Sequence, residues 1–527
     1  MSRSIGARLR RLLPLLAASI TLPLWAQQSA PQLVGGFKLG SDWQLIRMRI
    51  PADSSRTTID LPQPDACTMG VPVEGLARSG SDLRFEVKSG SGRIRFSGSV
   101  APDGSISGMV MQGDQRGAFR LARLVALDPQ KSTAYAGYVG NYRLPTGRTL
   151  LITEIDGLPV YLDSLRFAKL FPLSETTFFT DDGERITFDP PRDGVAPAFE
   201  LEAWDGNRSR ATRVTLYREE RLSYPNGGIR LGGTVLTPSG KGPFPAVVMV
   251  HGSNVQPREG YRFLGGDYFA RHGIATLIYD KRGVGESGGK WLGAPLDTLA
   301  GDALAGVQLL QGRPDIDRRR IGLYGISQGG WIIPLAGARS SDVAFLISVS
   351  GNVIKLWEQE TLRQLGEMRA RRVAEAVVAQ ADTTFRLFYR LLEAGQGTQQ
   401  ADAAIDRLRQ HRVPTPPKST EIGANVWFKF LDPFYDPMLV LERVRQPILW
   451  IFGEVDLITP PKPNLDRLEP LLRRTPRPNY TIKVFPKGNH MIWRGVTGSG
   501  LEIPCLRDVD PGYFTTMVDW IRAIKPR

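Results

Sequence analysis

The sequence predicts an α/β protein: a doubly wound, mostly parallel sheet with a helical cap insertion, preceded by a β-rich N-terminal domain. Three observations predict this fold class. From about Ile229 onward, apolar runs alternate with glycine-rich loops and helical segments, an order that implies right-handed crossovers within one sheet. These runs, such as PAVVMV and IATLIYD, are apolar at nearly every position, as strands covered on both faces are. Between about Leu33 and Val214, apolar and polar residues alternate instead, as in strands with one buried face.

The first residues, 1–26, are predicted to be a cleaved secretory signal peptide. Four arginines precede a short apolar run from Leu13 to Ala26, and polar residues follow it, which is the pattern of an export signal. An uncleaved N-terminal anchor is the alternative. The predicted location is therefore periplasmic or secreted.

The β-rich region is predicted to form two small antiparallel modules, residues 32–130 and 131–217, although one irregular β domain also fits the pattern. Turn signals such as PDGS and TDDGE separate the strand-like segments. The region contains no histidine. We therefore expect a scaffold or a role in gating substrate rather than a catalytic centre here.

The catalytic domain is predicted to span residues 222–527. Its strand–helix alternation stops at about 352–440, where leucine, valine and phenylalanine recur at helical spacing between charged residues. An insertion after a sheet strand lies near the carboxyl ends of the strands, where ligands bind in such sheets. It is interpreted as a cap, with a helical pair packed at the sheet edge as the alternative.

Composition narrows the class of partner. The chain of 527 residues carries 67 Lys and Arg against 53 Asp and Glu, a formal net charge of +14. The basic residues are scattered instead of forming a patch with interleaved aromatics, which argues against nucleic-acid binding. We expect a small-molecule ester substrate, no cofactor, no metal and no transmembrane segment after signal cleavage; the oligomeric state stays open. Cys67 and Cys505 fall in different predicted domains and are expected to be isolated thiols.

The motif G-x-S-x-G occurs twice, around Ser287 and around Ser327. Ser327 lies in LYGISQGG, between a strand-like and a helix-like run, which is the context of a nucleophile elbow. The helix that follows would direct its free N–H groups toward the serine. Ser287 has no helix after it and is interpreted as a loop serine.

A serine nucleophile needs a base, and the chain has only four histidines. His490, in the glycine-containing loop after the last apolar strand, is the predicted base. His272 lies in a predicted amphipathic helix, and His411 lies in a part of the insertion rich in glutamine and arginine. Asp456, in the loop after PILWIFG, is predicted to orient His490; Glu454 is its neighbouring competitor.

Two backbone N–H groups are predicted to form an oxyanion hole. One belongs to Gln328, directly after the nucleophile, and the other to Ser253 in the HGSN turn, with Asn254 as second choice. His251 is then a structural residue of that turn. Asp280 and Arg282 are interpreted as a turn held by local ion pairs.

Several stretches together resemble serine esterases of the α/β-hydrolase superfamily, most closely the dienelactone-hydrolase-like bacterial branch; the stretches are VVMVHGS, LIYDKRGVGESGG, LYGISQGGWIIPLA, LWIFGEVD and GNH. The resemblance covers about Ile229 to Arg527 and implies the α/β-hydrolase fold. The dienelactone enzymes use cysteine where Ser327 stands, so their substrate is not carried over.

The predicted function is a serine hydrolase that cleaves carboxylic esters (EC 3.1.1.-) through a Ser327–His490–Asp456 triad and an acyl-enzyme intermediate. A prolyl-oligopeptidase-like serine peptidase is the first alternative. Fewer than about 200 residues precede the catalytic domain, and they show no blade repeat. A catalytically inactive module that binds the cell envelope is the second alternative.

Overall fold

The computed structural model describes residues 32–40, 42–62, 67–89, 92–125, 132–155, 158–424, 432–474 and 480–525. The predicted signal peptide lies outside the described residues. Two closed antiparallel barrels precede an eight-stranded sheet with helices on both faces. The predicted fold class is thereby confirmed.

The first barrel is closed by hydrogen bonds between its first and last strands. Its strands are β1 (Gln32–Leu39), β2 (Asp42–Arg49), β3 (Thr58–Pro62), β4 (Cys67–Ser79), β5 (Asp82–Ser89), β6 (Gly92–Val100), β7 (Ile106–Gln112) and β8 (Gln115–Arg123). Inward residues alternate along each strand and meet in one apolar cluster. Phe85 stacks on Phe96, and Phe37 and Phe119 meet Phe96 edge to face. Side chains therefore fill this barrel.

The second barrel is closed by β9, which pairs with both β10 and β16. Its strands are β9 (Gly140–Arg143), β10 (Thr149–Ile155), β11 (Leu158–Asp163), β12 (Arg166–Pro172), β13 (Thr177–Thr180), β14 (Arg185–Phe188), β15 (Ala198–Glu202) and β16 (Arg208–Val214). Tyr142, Phe178, Phe188 and Phe199 pack in its interior. The β-rich region thus forms two modules, each with its own packed core.

The large sheet has the strand order β17-β18-β20-β19-β21-β22-β23-β24. These strands are β17 (Tyr217–Asn226), β18 (Ile229–Pro238), β19 (Phe244–Val250), β20 (Ala275–Tyr279), β21 (Ile316–Ile326), β22 (Phe345–Val349), β23 (Ile448–Gly453) and β24 (Tyr480–Phe485). Strand β18 runs antiparallel to both of its neighbours, β17 and β20, and the remaining neighbouring strands are parallel. The sheet begins at Tyr217, before the predicted boundary at residue 222.

Helices cover both faces of this sheet. They are α1 (Asp267–Arg271), α2 (Leu296–Gln311), α3 (Gly329–Arg339), α4 (Leu356–Ala370), α5 (Glu375–Glu393), α6 (Gln399–Gln410), α7 (Met438–Leu441), α8 (Pro461–Arg474) and α9 (Tyr513–Ala523). Strand β21 shows the two faces, because Tyr324 belongs to the apolar cluster that includes residues of α1 and α9, whereas Leu323 belongs to the cluster that includes residues of α2, α3 and α8. Helices α4 to α7 lie between β22 and β23, and α4 to α6 lie within the predicted cap at about 352–440. In the described ranges, no helix combines the length and apolarity needed to cross a bilayer.

Cys67 and Cys505 form a disulfide, so the prediction of two isolated thiols was wrong. The two cysteines come together because the segment after β24 packs against the barrels. The segment after β24 runs along the second barrel, where Phe167 N–H donates to Arg507 O at 2.7 Å and Val509 N–H donates to Leu165 O at 2.7 Å. That path carries Cys505 to the start of β4, although the two cysteines are 438 residues apart in sequence.

Candidate active site

The predicted catalytic residues follow strands that end at one edge of the sheet. Ser327 follows β21, Asp456 follows β23 and His490 follows β24, and these strands are parallel. The turn with Ser253 follows β19, which is parallel to β21. Because parallel strands share one carboxyl edge, all four residues lie at that edge, the usual location of ligand sites in such sheets.

Ser327 lies in the sharp turn between β21 and α3. Its φ of 55° falls in the left-handed region, which is unfavourable for a residue with a side chain and marks strain at functional sites. Its N–H donates to Val349 O at 3.0 Å, which attaches the turn to the neighbouring strand. The strained strand-to-helix turn is the geometry of a nucleophile elbow.

The glycines around Ser327 are required by close backbone approaches. A Cβ added at Gly325 would lie 2.5 Å from Gly329 O, one at Gly329 would lie 2.8 Å from Val250 O, and one at Gly330 would lie 2.3 Å from Gly351 Cα. Each distance is shorter than van der Waals contact allows. The GISQGG sequence therefore reflects the space available around the turn.

Ser287, the second motif serine, is a structural residue of its loop. It is buried, its hydroxyl donates to Asp280 O at 2.6 Å, and its Oγ accepts from Gly232 N–H at 3.0 Å. These contacts attach the loop of Ser287 to β18 and to the residue that follows β20. This environment gives the hydroxyl no base.

His490 is paired with Asp456. Asp456 Oδ2 lies 2.9 Å from His490 Nδ1, and Oδ1 accepts from the N–H groups of Ile458 and Thr459, both at 2.8 Å. The carboxylate is buried, whereas the His490 side chain is 13% exposed. A carboxylate can only accept, so Nδ1 carries the proton and Nε2 is left as an acceptor. That tautomer is the one a general base needs.

Glu454, the competing carboxylate, points elsewhere: its Oε2 accepts from Lys487 N–H at 2.9 Å. The loops that carry Asp456 and His490 are joined by the bond from Val455 N–H to Gly488 O at 3.0 Å. Asn489 Oδ1 accepts from the N–H groups of Met491 and Trp493 at 2.9 and 3.0 Å, which fixes the chain beyond His490. The acid and the imidazole are thus held by the backbone of both loops.

The two predicted oxyanion donors lie on adjoining segments. Gln328 is the N-cap residue of α3, and Ser253 lies in the turn after β19. A Cβ at Gly252 would lie 3.5 Å from Ile326 O, so the turn packs against the end of β21. Gly252 N–H donates to the Tyr261 hydroxyl at 3.1 Å, and that hydroxyl donates to Gln256 Oε1 at 2.7 Å.

The other histidines have structural surroundings. His251 is buried, with Nε2 2.6 Å from Tyr279 O. Burial, together with the nearby charge of Lys281, lowers the pKa of His251 to about 3, so its imidazole stays neutral. His272 and His411 are the C-cap residues of α1 and α6.

Sequence reasoning missed Lys281. This residue follows β20, is 1% exposed, and directs its ammonium group at the predicted oxyanion-hole segments. Its Nζ donates to Gly252 O at 2.5 Å, to Gln328 Oε1 at 3.2 Å and to Asn254 O at 3.3 Å. In the sequence, Lys281 stands between two charged residues in a predicted turn, which is typical of a solvent-exposed lysine. The sequence therefore did not indicate that Lys281 is buried or that it contacts these segments.

The neighbours of Lys281 form ion pairs, but not local ones. Asp280 pairs with Arg258, 22 residues away, and Arg282 pairs with Asp302 on α2, 20 residues away. The turn after β20 is therefore held by other elements of the domain, which corrects the expectation of local pairing.

The predicted cap contacts the loop of Asp456 and the chain beyond His490. On α4, Gln359 Nε2 donates to Ile458 O at 2.6 Å, beside Asp456. About two turns further along this helix, Glu367 accepts from the Ser499 hydroxyl and from Gly500 N–H, both at 2.9 Å. No group of three or more His, Cys, Asp or Glu side chains in the described residues is arranged to hold a metal ion.

Known proteins match mainly the C-terminal part of the chain. The family model described as "Serine aminopeptidase, S33" matches residues 242–495. Esterase EstD of Thermotoga maritima is 25% identical over 294 residues, 54% of this chain and 62% of that protein. Human dipeptidyl peptidase 8 is 32% identical over 124 residues, 22% of this chain and 14% of that protein. The chain thus spans less than two thirds of either relative.

Among solved structures, the α/β hydrolase GrgF from Penicillium sp. sh18 is 18% identical, with a TM-score of 0.38 over 58% of this chain and 99% of that one.

Proposed function

We propose that this chain, in which residues 242–495 match the serine aminopeptidase family model, is a serine hydrolase of the α/β-hydrolase fold that cleaves carboxylic esters of small molecules. The observation that carries the proposal is the Asp456–His490 hydrogen bond of 2.9 Å at the sheet edge where Ser327 occupies a strained turn. A serine hydroxyl becomes a useful nucleophile beside an imidazole whose tautomer is fixed in this way.

The proposed reaction has two halves. Ser327 Oγ attacks the ester carbonyl carbon while His490 Nε2 takes its proton, and the N–H groups of Gln328 and Ser253 donate to the oxyanion. The C–O bond to the alcohol then breaks, and His490 returns the proton to the leaving oxygen. Water, deprotonated by His490, attacks the acyl-enzyme, and the acid leaves as Ser327 regains its proton.

The test is hydrolysis of a chain-length series of p-nitrophenyl esters. We expect Ser327→Ala to lower kcat by at least about 10³-fold, because removing a triad member leaves only the residual catalysis of the oxyanion hole and binding. A fluorophosphonate probe should label the wild-type protein and the control Ser287→Ala, but not Ser327→Ala. Wild-type turnover by Ser327→Ala would contradict the proposal.

A serine peptidase is the second candidate. The family description "Serine aminopeptidase, S33" and the local similarity to dipeptidyl peptidase 8 favour it. Both candidates share the triad, so the leaving group decides between them. Turnover of aminoacyl or prolyl p-nitroanilides without turnover of esters would favour the peptidase, whereas resistance to the fluorophosphonate would favour an inactive envelope-binding module.

The proposed location is the periplasm or the exterior of the cell. The basic and then apolar N-terminal sequence and the Cys67–Cys505 disulfide support it, because disulfides persist in oxidising compartments. The exported protein would then begin at Gln27, which N-terminal sequencing would check.

A further inference from the structure

Lys281 is a buried cation that the proposed mechanism does not use. Its side chain is enclosed, and its ammonium lies 4.4 Å from the centre of the Trp291 ring. Within the described parts of the chain, it forms no ion pair with a carboxylate; its three hydrogen bonds go to neutral oxygens. A buried charge without a counter-charge is destabilising. A functional role would explain why the ammonium of Lys281 is buried at the carboxyl edge of the sheet.

We infer that Lys281 is a positioning residue for the oxyanion hole, holding the turn after β19 and the residue after the nucleophile in one hydrogen-bonded unit. The inference rests on the proposed function. Lys281 is the lysine of the LIYDKRG stretch. The group that it would help to bind is the tetrahedral oxyanion formed from an ester substrate.

The bond to Gly252 O acts on the Ser253 N–H. The carbonyl of Gly252 and the N–H of Ser253 belong to the same planar peptide group, with the two bonds pointing in opposite directions. A cation 2.5 Å from that oxygen fixes the plane of the peptide and so the direction of its N–H. It also polarises the peptide, which makes the N–H a stronger donor.

The same contact distinguishes Ser253 from Asn254 as the second donor. The Asn254 N–H shares its peptide with Ser253 O, which is not a partner of Lys281, whereas the Asn254 carbonyl is one at 3.3 Å. Lys281 therefore holds the peptides on both sides of that one. The structure favours the Ser253 N–H as the group whose direction is fixed.

The third bond reaches the nucleophile side of the site. Gln328 Oε1 accepts from Lys281 Nζ at 3.2 Å, and Gln328 is 7% exposed. The backbone N–H of Gln328 is the other proposed oxyanion donor. Lys281 thus contacts both the side chain of Gln328 and the turn that carries Ser253. A single ammonium thus spans both donors, and pre-organised donors of this kind stabilise charge that develops in a transition state.

The charge of Lys281 depends on pH near neutrality. Burial lowers the pKa of Lys281 to about 7. The titratable and charged groups that line the small cavity beside it are His251, Tyr279, Arg282 and Asp302. His251 is neutral, burial raises the pKa of Tyr279 far above its usual range, and Arg282 and Asp302 pair with each other. The cation is present below a pH of about 7 and is lost as the pH rises through that value.

The experiment compares Lys281→Met, Lys281→Arg and Lys290→Met. Lys290 is an exposed lysine of the same loop and serves as the matched control. Loss of one oxyanion donor lowers rates about 10²–10³-fold, so we expect Lys281→Met to lower kcat for a p-nitrophenyl ester by about 10–100-fold with KM within about threefold. We expect Lys281→Arg to recover part of kcat and Lys290→Met to match the wild type.

The pH profile of kcat/KM gives a readout that a purely structural lysine would not change. The wild-type profile should decline as the pH rises through about 7, and this decline should move to higher pH in Lys281→Arg, because arginine keeps its charge. If Lys281→Met does not fold, the comparison of wild type with Lys281→Arg decides alone. An unchanged alkaline limb in Lys281→Arg, or wild-type kcat in Lys281→Met, overturns the inference.

Failure of the proposed function would look different. In that case the wild-type protein would not turn over esters, or Ser327→Ala would match it, whatever the Lys281 variants do. An active wild type, an inactive Ser327→Ala and a fully active Lys281→Met would remove only the role of Lys281.

Discussion

At the scale of single residues, the site depends on how Asp456 divides its two oxygens. Oδ1 accepts two backbone N–H groups of its own loop, which fixes the carboxylate before it meets the imidazole. Oδ2 is then directed at His490 Nδ1. One oxygen sets the position and the other sets the tautomer, so the carboxylate has no freedom to turn toward another partner.

Replacing Asp456 with asparagine separates these two roles. The asparagine side chain can keep an acceptor at the Oδ1 position, but its amide group would donate to Nδ1 and so favour the wrong tautomer of His490. We expect Asp456→Asn to lower kcat by about 10²–10⁴-fold with little change in folding, since the same substitution in other triads acts through the tautomer. The measurement is ester turnover beside a thermal unfolding curve.

Glu454→Gln is the matched control for that variant, because Glu454 lies in the same loop and contacts Lys487 N–H instead of the imidazole. It should keep turnover close to that of the wild type. Equal losses in both variants would mean that the loop, not the carboxylate of Asp456, is what matters.

At the scale of elements, the start of α3 is a crowded junction of the site. Gly329 brings this helix against the end of β19, with no room for a Cβ beside Val250 O. That close packing places Gln328, the residue after the proposed nucleophile, next to the turn that carries Ser253. The position of the helix, and with it that of the proposed oxyanion hole, therefore depends on the absence of a side chain at Gly329.

Gly329→Ala should displace the start of α3. A contact of 2.8 Å with a backbone oxygen cannot be relieved by a side-chain rotation, and forced contacts of this kind destabilise proteins by about 1–3 kcal/mol. We expect a lower unfolding temperature and a loss of kcat larger than the loss of stability explains. Both are measured on the same preparation, with kcat taken well below the unfolding transition.

Gly301→Ala in α2 is the matched control, because the Cβ there meets only Asn226 at ordinary contact distance, 3.6 Å. It should be neutral or stabilising by about 0.5–1 kcal/mol, as alanine for glycine in a helix usually is. Wild-type activity in Gly329→Ala would show that the junction tolerates movement.

The elements of the site could be predicted from sequence because each is local. An apolar run, a glycine-bearing loop and a helix predict an elbow wherever they occur in that order, and the same reasoning finds the loops of Asp456 and His490 at strand ends. The contacts of Lys281 could not be predicted in this way. They join residues from three loops, and whether a lysine in a turn is buried depends on which loops close over it.

At the scale of the whole molecule, the docking of the barrels on the catalytic domain was the part that sequence could not supply. Period-two patterns predict strands, but not that each set closes into a barrel or which surface it presents. Lys169 on β12 donates to the carbonyls of Ile503, Pro504 and Leu506, and Phe167 packs against Trp493. These contacts bring the chain beyond His490 against the second barrel.

The disulfide is part of this docking. Cys67 on β4 attaches the first barrel to Cys505, and a cross-link that closes so long a loop restricts the unfolded chain, with typical stabilisation of about 2–4 kcal/mol. The Cys67→Ser/Cys505→Ser variant should therefore unfold at a lower temperature. Its kcat at room temperature should stay close to that of the wild type, because the bonds of Asp456, Asn489 and His490 lie inside the catalytic domain. An unchanged unfolding curve would mean that noncovalent contacts, such as that from Arg507 Nη2 to Pro62 O at 3.3 Å, hold the first barrel without the bond, whereas a tenfold loss of kcat would mean that the first barrel acts on the His490 loop through this bond.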